Sequence, residues 1–202
     1  YENEDYRQRG EASFFGDPNK DLDANTKSIA LEYRFKGESL NLSLSGRHDE
    51  NSEFDNSNPW RATAAWHLGN GHTTLSGSVG ESTKNPTFAE RFGFFDTFIG
   101  NPDLKPEESL SWELGIRQRL LNEEILVTAT WFSARLKNEI NGFVFDPALG
   151  AFTAENVDGE SNRDGVELAV DYRPIDQLIL AANYTYLDAT EEDATGADNT
   201  EV

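Results

Sequence analysis

The run Asp17-Pro18-Asn19-Lys20-Asp21-Leu22-Asp23 places oxygen donors at every second position, the ligand type that hard cations accept. It lacks the glycine an EF-hand loop needs at its sixth place and the acid at its twelfth, where Ser28 stands. Asp17, Asn19, Asp21 and Asp23 are therefore the candidate metal ligands, calcium is the ion they suit, and no intrinsic cofactor is expected. Acidic runs at Asp49-Glu50-Asn51-Ser52-Glu53-Phe54-Asp55 and Asp188-Ala189-Thr190-Glu191-Glu192-Asp193 read as solvated loops, or as lures for a divalent cation or cationic ligand. His48, His67 and His72 stand in unrelated contexts, and neither a His-x-x-x-His pair nor a Gly-x-Ser-x-Gly turn occurs. With no cysteine, thiol catalysis, disulfides and thiolate metal sites are excluded together. No enzyme is expected. In 202 residues, 17 basic side chains against 37 acidic ones leave a net charge of −20, which disfavours nucleic acid as a partner.

A second stretch is aromatic. Phe92, Phe94, Phe95 and Phe98 crowd one polar connection, and Pro86, Pro102 and Pro106 remove backbone donors from it, so it cannot continue a strand ladder. Burying each ring is worth about 1.5–3 kcal/mol, so these side chains must pack against the loop itself or a neighbour. Phe92, Phe94, Phe95, Phe98 and Asn101 are the candidate ligand contacts. The competing expectation is a purely structural loop core.

The elements that hold these stretches have period two. Ser39 to Ser45 alternates Leu with small polar residues without a fault. In Thr26 to Lys36, Ile29, Leu31, Tyr33 and Phe35 share one face; Ser28, Ala30, Glu32, Arg34 and Lys36 share the other. The split recurs at Trp60 to Leu68, Thr74 to Val79, Leu110 to Arg117, Ile125 to Trp131, Val166 to Arg173 and Leu178 to Tyr186. With Tyr1 to Arg9 this makes nine expected strands. No run of about 18 apolar residues occurs, which excludes a transmembrane helix but not a transmembrane barrel, whose strands need an apolar residue only at alternate positions.

The connections alternate in length. Tight turns fall at Lys36-Gly37-Glu38-Ser39, Leu68-Gly69-Asn70-Gly71-His72, Leu120-Leu121-Asn122-Glu123 and Arg173-Pro174-Ile175-Asp176; between them lie long polar stretches at 10–25, 49–59, 83–107, 138–162 and 188 onward. In an up-and-down meander this puts every tight turn at one end and every long loop at the other, as in outer-membrane barrels. A soluble β-sandwich also alternates, but its wet face carries more Lys and Glu than these Ser- and Thr-rich faces. Trp60, Trp66, Trp112, Trp131 and Tyr172 then read as an interfacial girdle, and ordinary core packing is the alternative.

Three ordered blocks carry a more specific signal: Lys84-Asn85-Pro86 with the aromatics after it, Asn101-Pro102-Asp103-Leu104-Lys105-Pro106-Glu107, and Trp112-Glu113-Leu114-Gly115. Downstream come Asn156-Val157-Asp158-Gly159, Gly165-Val166-Glu167 and Tyr184-Thr185-Tyr186. In this order they resemble TonB-dependent outer-membrane receptors, most nearly the vitamin B12 and siderophore branch. The resemblance implies an all-β antiparallel meander forming part of a large transmembrane β-barrel in the outer membrane of a Gram-negative bacterium, here a section without the plug domain and closing strands. It implies uptake of a scarce complex, an iron–siderophore, haem or corrinoid, energised by the TonB complex through the plug, with outer-membrane lipid around the wall. Glu32, Arg34, Arg47, Arg61, Glu113, Arg117, Arg119, Glu167, Asp171 and Arg173 would face the lumen, with opposite signs expected on neighbouring strands. A passive porin-like channel and a soluble carbohydrate-binding sandwich are the rival readings.

Overall fold

The structure is a computed structural model that describes residues 2–9, 19–94, 97–192 and 198–201. The strands are β1 (Glu2–Gln8), β2 (Lys20–Lys36), β3 (Leu40–Asn51), β4 (Trp60–Leu68), β5 (Thr73–Lys84), β6 (Glu107–Leu120), β7 (Ile125–Lys137), β8 (Ile140–Asp146), β9 (Ala151–Asn156), β10 (Glu160–Ile175), β11 (Leu178–Glu192) and β12 (Asp198–Glu201). A single short helix, α1 (Phe88–Phe92), lies between β5 and β6. Ten strands form one antiparallel sheet in the order β1-β2-β3-β4-β5-β6-β7-β10-β11-β12, while β8 and β9 form a separate hairpin.

The nine expected strands are all present in the large sheet. Three elements differ from expectation. Strand β2 starts at Lys20 because β1 pairs along it from Gln8↔Lys20 to Glu2↔Thr26, extending the ladder into the expected loop. The stretch from 138 to 162 folds into the β8–β9 hairpin, and β12 pairs with β11 beyond the last expected strand.

Register explains how alternation becomes a surface. Cross-strand partners link Phe35, Leu42, Ala64, Gly77, Leu114, Trp131, Val166 and Tyr186 into one row spanning β2 to β11. The next row toward the tight turns joins Leu40, Trp66, Leu75, Ile116, Ala129, Leu168 and Tyr184. The opposite face carries Arg34, Ser43, Thr63, Ser78 and Glu113 in one row and Lys36, Asn41, Ala65, Ser76, Gly115 and Thr130 in another.

No second sheet covers the apolar face among the described residues: Ile29 and Leu31 are 73% and 79% exposed, and Trp66, Leu114, Trp131, Leu180 and Tyr184 stand half or more exposed. That overturns the sandwich reading, which needs two inner faces pressed together. Trp60 and Trp66 face outward near opposite ends of β4, and the Trp60 Nε1 donates to Glu81 at 2.8 Å where the face turns polar, as interfacial anchors do. Trp112 and Trp131 meet edge to face at 4.9 Å on the same outer surface.

Candidate functional site

Charged side chains on the wet face are joined both by direct ion pairs and through a serine. Arg61 donates to the Ser78 hydroxyl at 3.3 Å, and Ser78 donates to Glu113 at 3.4 Å, so a hydroxyl on β5 relays between opposite charges on β4 and β6. Glu32 instead pairs with Arg34 on its own strand at 2.6 Å and accepts from Ser43 at 3.1 Å. Opposite signs thus meet through a hydroxyl spacer from β4 to β6, and directly nearer the long-loop end, where Lys84 on β5 pairs with Glu107 on β6 at 3.0 Å. The Arg119 guanidinium donates to the Gly71 carbonyl at 2.8 Å, fastening two tight turns. Two histidines serve the wall: His67 contacts Asn41 and Thr74, and His48 contacts Asn58.

The long-loop end is where the chain builds a folded cap. Thr87 opens α1 with a capping box: its hydroxyl accepts from the Glu90 N–H, and the Glu90 carboxylate accepts from the Thr87 N–H at 2.7 Å. Arg91 is buried at the helix end. It donates to Glu53 at 3.0 Å and to the Pro102 carbonyl at 3.3 Å, and its guanidinium lies 4.7 Å over the Phe54 ring and 4.8 Å over Phe92. Lys20 reaches the carbonyls of Phe92 and Gly93 from β2, and burial lowers its pKa. Gly100 is required by contact: an added Cβ would fall 2.2 Å from the Phe92 nitrogen.

The candidate ligand residues fall in this cap in different ways. Phe98 is 4% exposed and forms the only buried apolar cluster among the described residues with Leu104 and Ala154. Its backbone bridges β9, with the Ile99 N–H donating to the Phe152 carbonyl at 2.8 Å. Phe94 stacks on Phe98 at 4.8 Å, and both Phe92 and Phe94 are half-buried. Phe95 lies outside the described residues. Asn101 spends its side chain on the chain itself, donating to the Ala154 carbonyl at 3.1 Å and accepting from the Asp103 N–H at 3.0 Å.

The rest of this motif is equally occupied. Asn156 accepts from the Lys105 N–H at 2.8 Å and donates to the carbonyls of Lys105 and Asn138 at 3.0 and 2.7 Å. Glu107 accepts from Lys84 and from the Ile140 N–H, both at 3.0 Å. The Asn-Pro-Asp-Leu-Lys-Pro-Glu run therefore clamps the β8–β9 hairpin onto the barrel rim. Sequence reasoning missed that hairpin and its rings: Phe143 stacks on Phe152 at 4.2 Å and on Phe98 at 5.7 Å, and Phe145 meets Phe152 edge-on at 5.4 Å. The apolar β-forming run Phe143-Val144-Phe145, bounded by Asn141-Gly142 on one side and Asp146-Pro147 and Gly150 on the other, was the available signal.

The candidate metal ligands do not converge. Asp17 lies outside the described residues, and Asn19 precedes β2. Asp21 is held by Arg9 at 2.5 Å and Arg7 at 3.0 Å; the Arg9 hydrogen bond is the main cause that keeps its carboxyl below the usual range. Asp23 sits in the β1–β2 ladder opposite Asp5. No three carboxylate, histidine or cysteine groups are placed to hold a metal among the described residues, so the calcium expectation has no support.

A sheet greasy on one face, hydroxylic on the other, tight-turned at one end and capped at the other is the wall of a membrane-spanning β-barrel. The family model for the TonB dependent receptor-like β-barrel matches residues 1–202, and the chain belongs to that family, whose barrels sit in the outer membrane of Gram-negative bacteria. Among solved structures it is similar to the siderophore receptor PirA from Pseudomonas aeruginosa, with 18% identity and a TM-score of 0.76 over 86% of this chain and 36% of that one. The ferric enterobactin receptor PfeA, also of Pseudomonas aeruginosa, aligns at 20% identity and a TM-score of 0.73, covering 87% of this chain and 28% of the other. The copper transporter OprC aligns at 16% identity and 0.74, covering 94% and 34%. At these identities the likeness is one of fold, and the chain spans little more than a third of the longest-matched of these proteins.

Proposed function

We propose that this chain is a section of the barrel wall, together with extracellular mouth loops, of a transporter that captures a scarce nutrient complex and passes it inward. The plug domain and closing strands of that receptor lie outside these residues, and the TonB complex supplies the energy by acting on the plug. The exposed apolar rows meet outer-membrane lipid. The cargo changes compartment without a bond being made or broken. Names of the structural relatives favour a metal complex: two are siderophore receptors and one a copper transporter. Haem and corrinoids remain the finer alternatives within the same class.

The observation that carries this reading is the separation of roles along one sheet. Tight turns close one end, while the other end spends its sequence on a packed cap with its own buried cluster. In that cap the half-buried Phe92 and Phe94, with Phe95 in the same stretch, are the proposed ligand contacts; Phe98 and Asn101 hold them from behind. The test is growth of cells carrying the whole receptor on a panel of metal chelates, with and without TonB. The expected result is TonB-dependent growth on one chelate class, lost on deletion of residues 92–98 while the barrel still inserts. TonB-independent entry would return the passive-channel reading, and unchanged uptake after the deletion would remove the aromatics from ligand contact.

A further inference from the structure

The connection between β5 and β6 does not stand only over its own two strands. Its helix α1 reaches the other side of the sheet: the Phe88 ring stacks on Tyr6 of β1 at 5.4 Å, and Lys20 at the start of β2 donates to the carbonyls of Phe92 and Gly93, the latter at 3.0 Å. In the sheet order β1 is the fourth strand from β5, and at about 4.8 Å per strand that reach is about 19 Å. Alternation fixes the side on which the crossing is made. Lys20, Ala24 and Ser28 share a face of β2 with Glu32 and Arg34, and Tyr6 is the partner of Leu22 in the same set, so α1 lies over the lumenal face of the wall.

The overhang is one packed body. The Asn101 N–H donates to the Glu90 carbonyl at 2.9 Å, Gly100 lies close against Arg91 and Phe92, and the Ile99 N–H donates to Phe152 of β9 at 2.8 Å. Helix α1, residues 97–104 and the β8–β9 hairpin are thus joined around the Phe98 cluster. Between α1 and the wall is a cavity of about 550 Å³, to which Ala24 and Thr26 of β2 contribute.

The two sides of this body are attached to the wall by different means. On one side it runs directly into β5, β6, β7 and β10, and Asn156 and Glu107 clamp it there. On the far side it is held by side chains: the Tyr6–Phe88 stack, Lys20 on the carbonyls that end α1, and Arg91 of α1 on Glu53 of the β3–β4 connection at 3.0 Å. The last carbonyls of a helix have no partner within it, so the Lys20 ammonium supplies donors they otherwise take from water. Glu53 is exposed and Lys20 half-buried, so water can replace either contact when it breaks. Chain continuity on one side and exchangeable charge on the other is the construction of a hinge and a latch.

We propose that the cap is a lid over the lumenal face of this wall section, hinged at β5, β6 and the β8–β9 hairpin and latched by Lys20 and Glu53. Releasing the latch tilts the cap as a unit and opens a path from the long-loop end to the cavity and the lumen below it. The inference rests on the transport reading, in which solutes enter at that end.

The experiment uses the full-length receptor in vesicles, with Ala24→Cys as its single cysteine beneath the lid, and two thiol probes added from the long-loop side: N-ethylmaleimide and a bulky polyethylene glycol maleimide. In the Lys20→Met/Glu53→Gln receptor the bulky probe is expected to react about tenfold faster than with the latch intact, while the rate of the small probe changes by less than about twofold. Lys20→Arg, which keeps the charge and the donors, should stay within about twofold of the intact latch for both probes. Hydrogen exchange across residues 97–104 should be the same with and without the latch, because the body tilts and does not melt. An unchanged rate for the bulky probe, an equal acceleration of both probes, or faster exchange at 97–104 alongside faster labelling overturns the proposal. Labelling needs no cargo, so such a result leaves the transport reading standing, whereas TonB-independent growth removes that reading and leaves the labelling rates as they are.

Discussion

The wall and the cap bury apolar side chains in different media. Across β2 to β11 the large hydrophobics point away from the protein, and none of the wall's rows is covered by another part of the chain among the described residues. In the cap, Phe98, Leu104 and Ala154 are enclosed by protein, with Phe94, Ile140 and Phe152 packed around them. One region needs lipid to satisfy the hydrophobic effect and the other carries its own core. The wall is consequently held by ladder hydrogen bonds and the surrounding solvent, the cap by ring stacking and side-chain clamps.

Substitutions should respect that division. Phe98→Ala removes the one ring of the enclosed cluster and should cost the cap about 3–5 kcal/mol of local stability. Limited proteolysis and hydrogen exchange across residues 97–104 and 151–156 would report it, with barrel insertion unchanged; a loss of insertion would show that the two regions are not separable. Leu114→Arg places a charge in the middle of the lipid-facing row and should destabilise the whole receptor in vesicles by about 2–4 kcal/mol, measured by urea unfolding, whereas Thr63→Arg on the opposite face should change it by less than about 0.5 kcal/mol. Similar costs for the two would mean that the faces are assigned wrongly.

Asn156→Ala deletes the bonds to Lys105 and Asn138, which lie at an exposed to half-buried site where water can replace them, and should cost the hairpin about 0.5–1.5 kcal/mol, seen as faster exchange at Lys105. The smallest effect concerns Asp49. Burial acts to raise its pKa, but the polar groups around it, Ser28, Arg47 and Ser57, outweigh burial and hold it below the ordinary 3.8. Its contribution is therefore complete above about pH 4 and disappears as pH falls through the lower folded value. Exchange protection at Ser57 should decline over that acid window and become independent of pH there in Asp49→Asn.

The wall was readable in the sequence because each strand states its own faces. Ile29 to Phe35 and Trp60 to Leu68 show the same alternation with no knowledge of a partner, and the tight turns declare themselves by Gly, Asn and Pro. The cap was not readable in the same way. Phe98 meets Phe152 and Phe143 across more than forty residues, and Arg91 meets Glu53 across 38. Such contacts leave no local period. The tripled role of Asn156 likewise depends on Lys105 and Asn138 arriving at one point, although its place in a motif marked it for attention. Loss of the calcium reading has the same origin, since Arg7 and Arg9 reach Asp21 only through the β1–β2 pairing.

Strand length carries one more consequence. Strand β4 runs nine residues from Trp60 to Leu68 between its two outward tryptophans and the tight turn. At roughly 3.3 Å per residue and a tilt near 40°, such a strand spans only about 23 Å of hydrocarbon. A bilayer with a core of about 30 Å would have to thin around it or leave rim groups submerged, at a fraction of a kcal/mol for every ångström of mismatch. The mismatch is local, because β3 and β5 on either side run twelve residues each, so a thicker membrane is penalised at β4 before anywhere else between them.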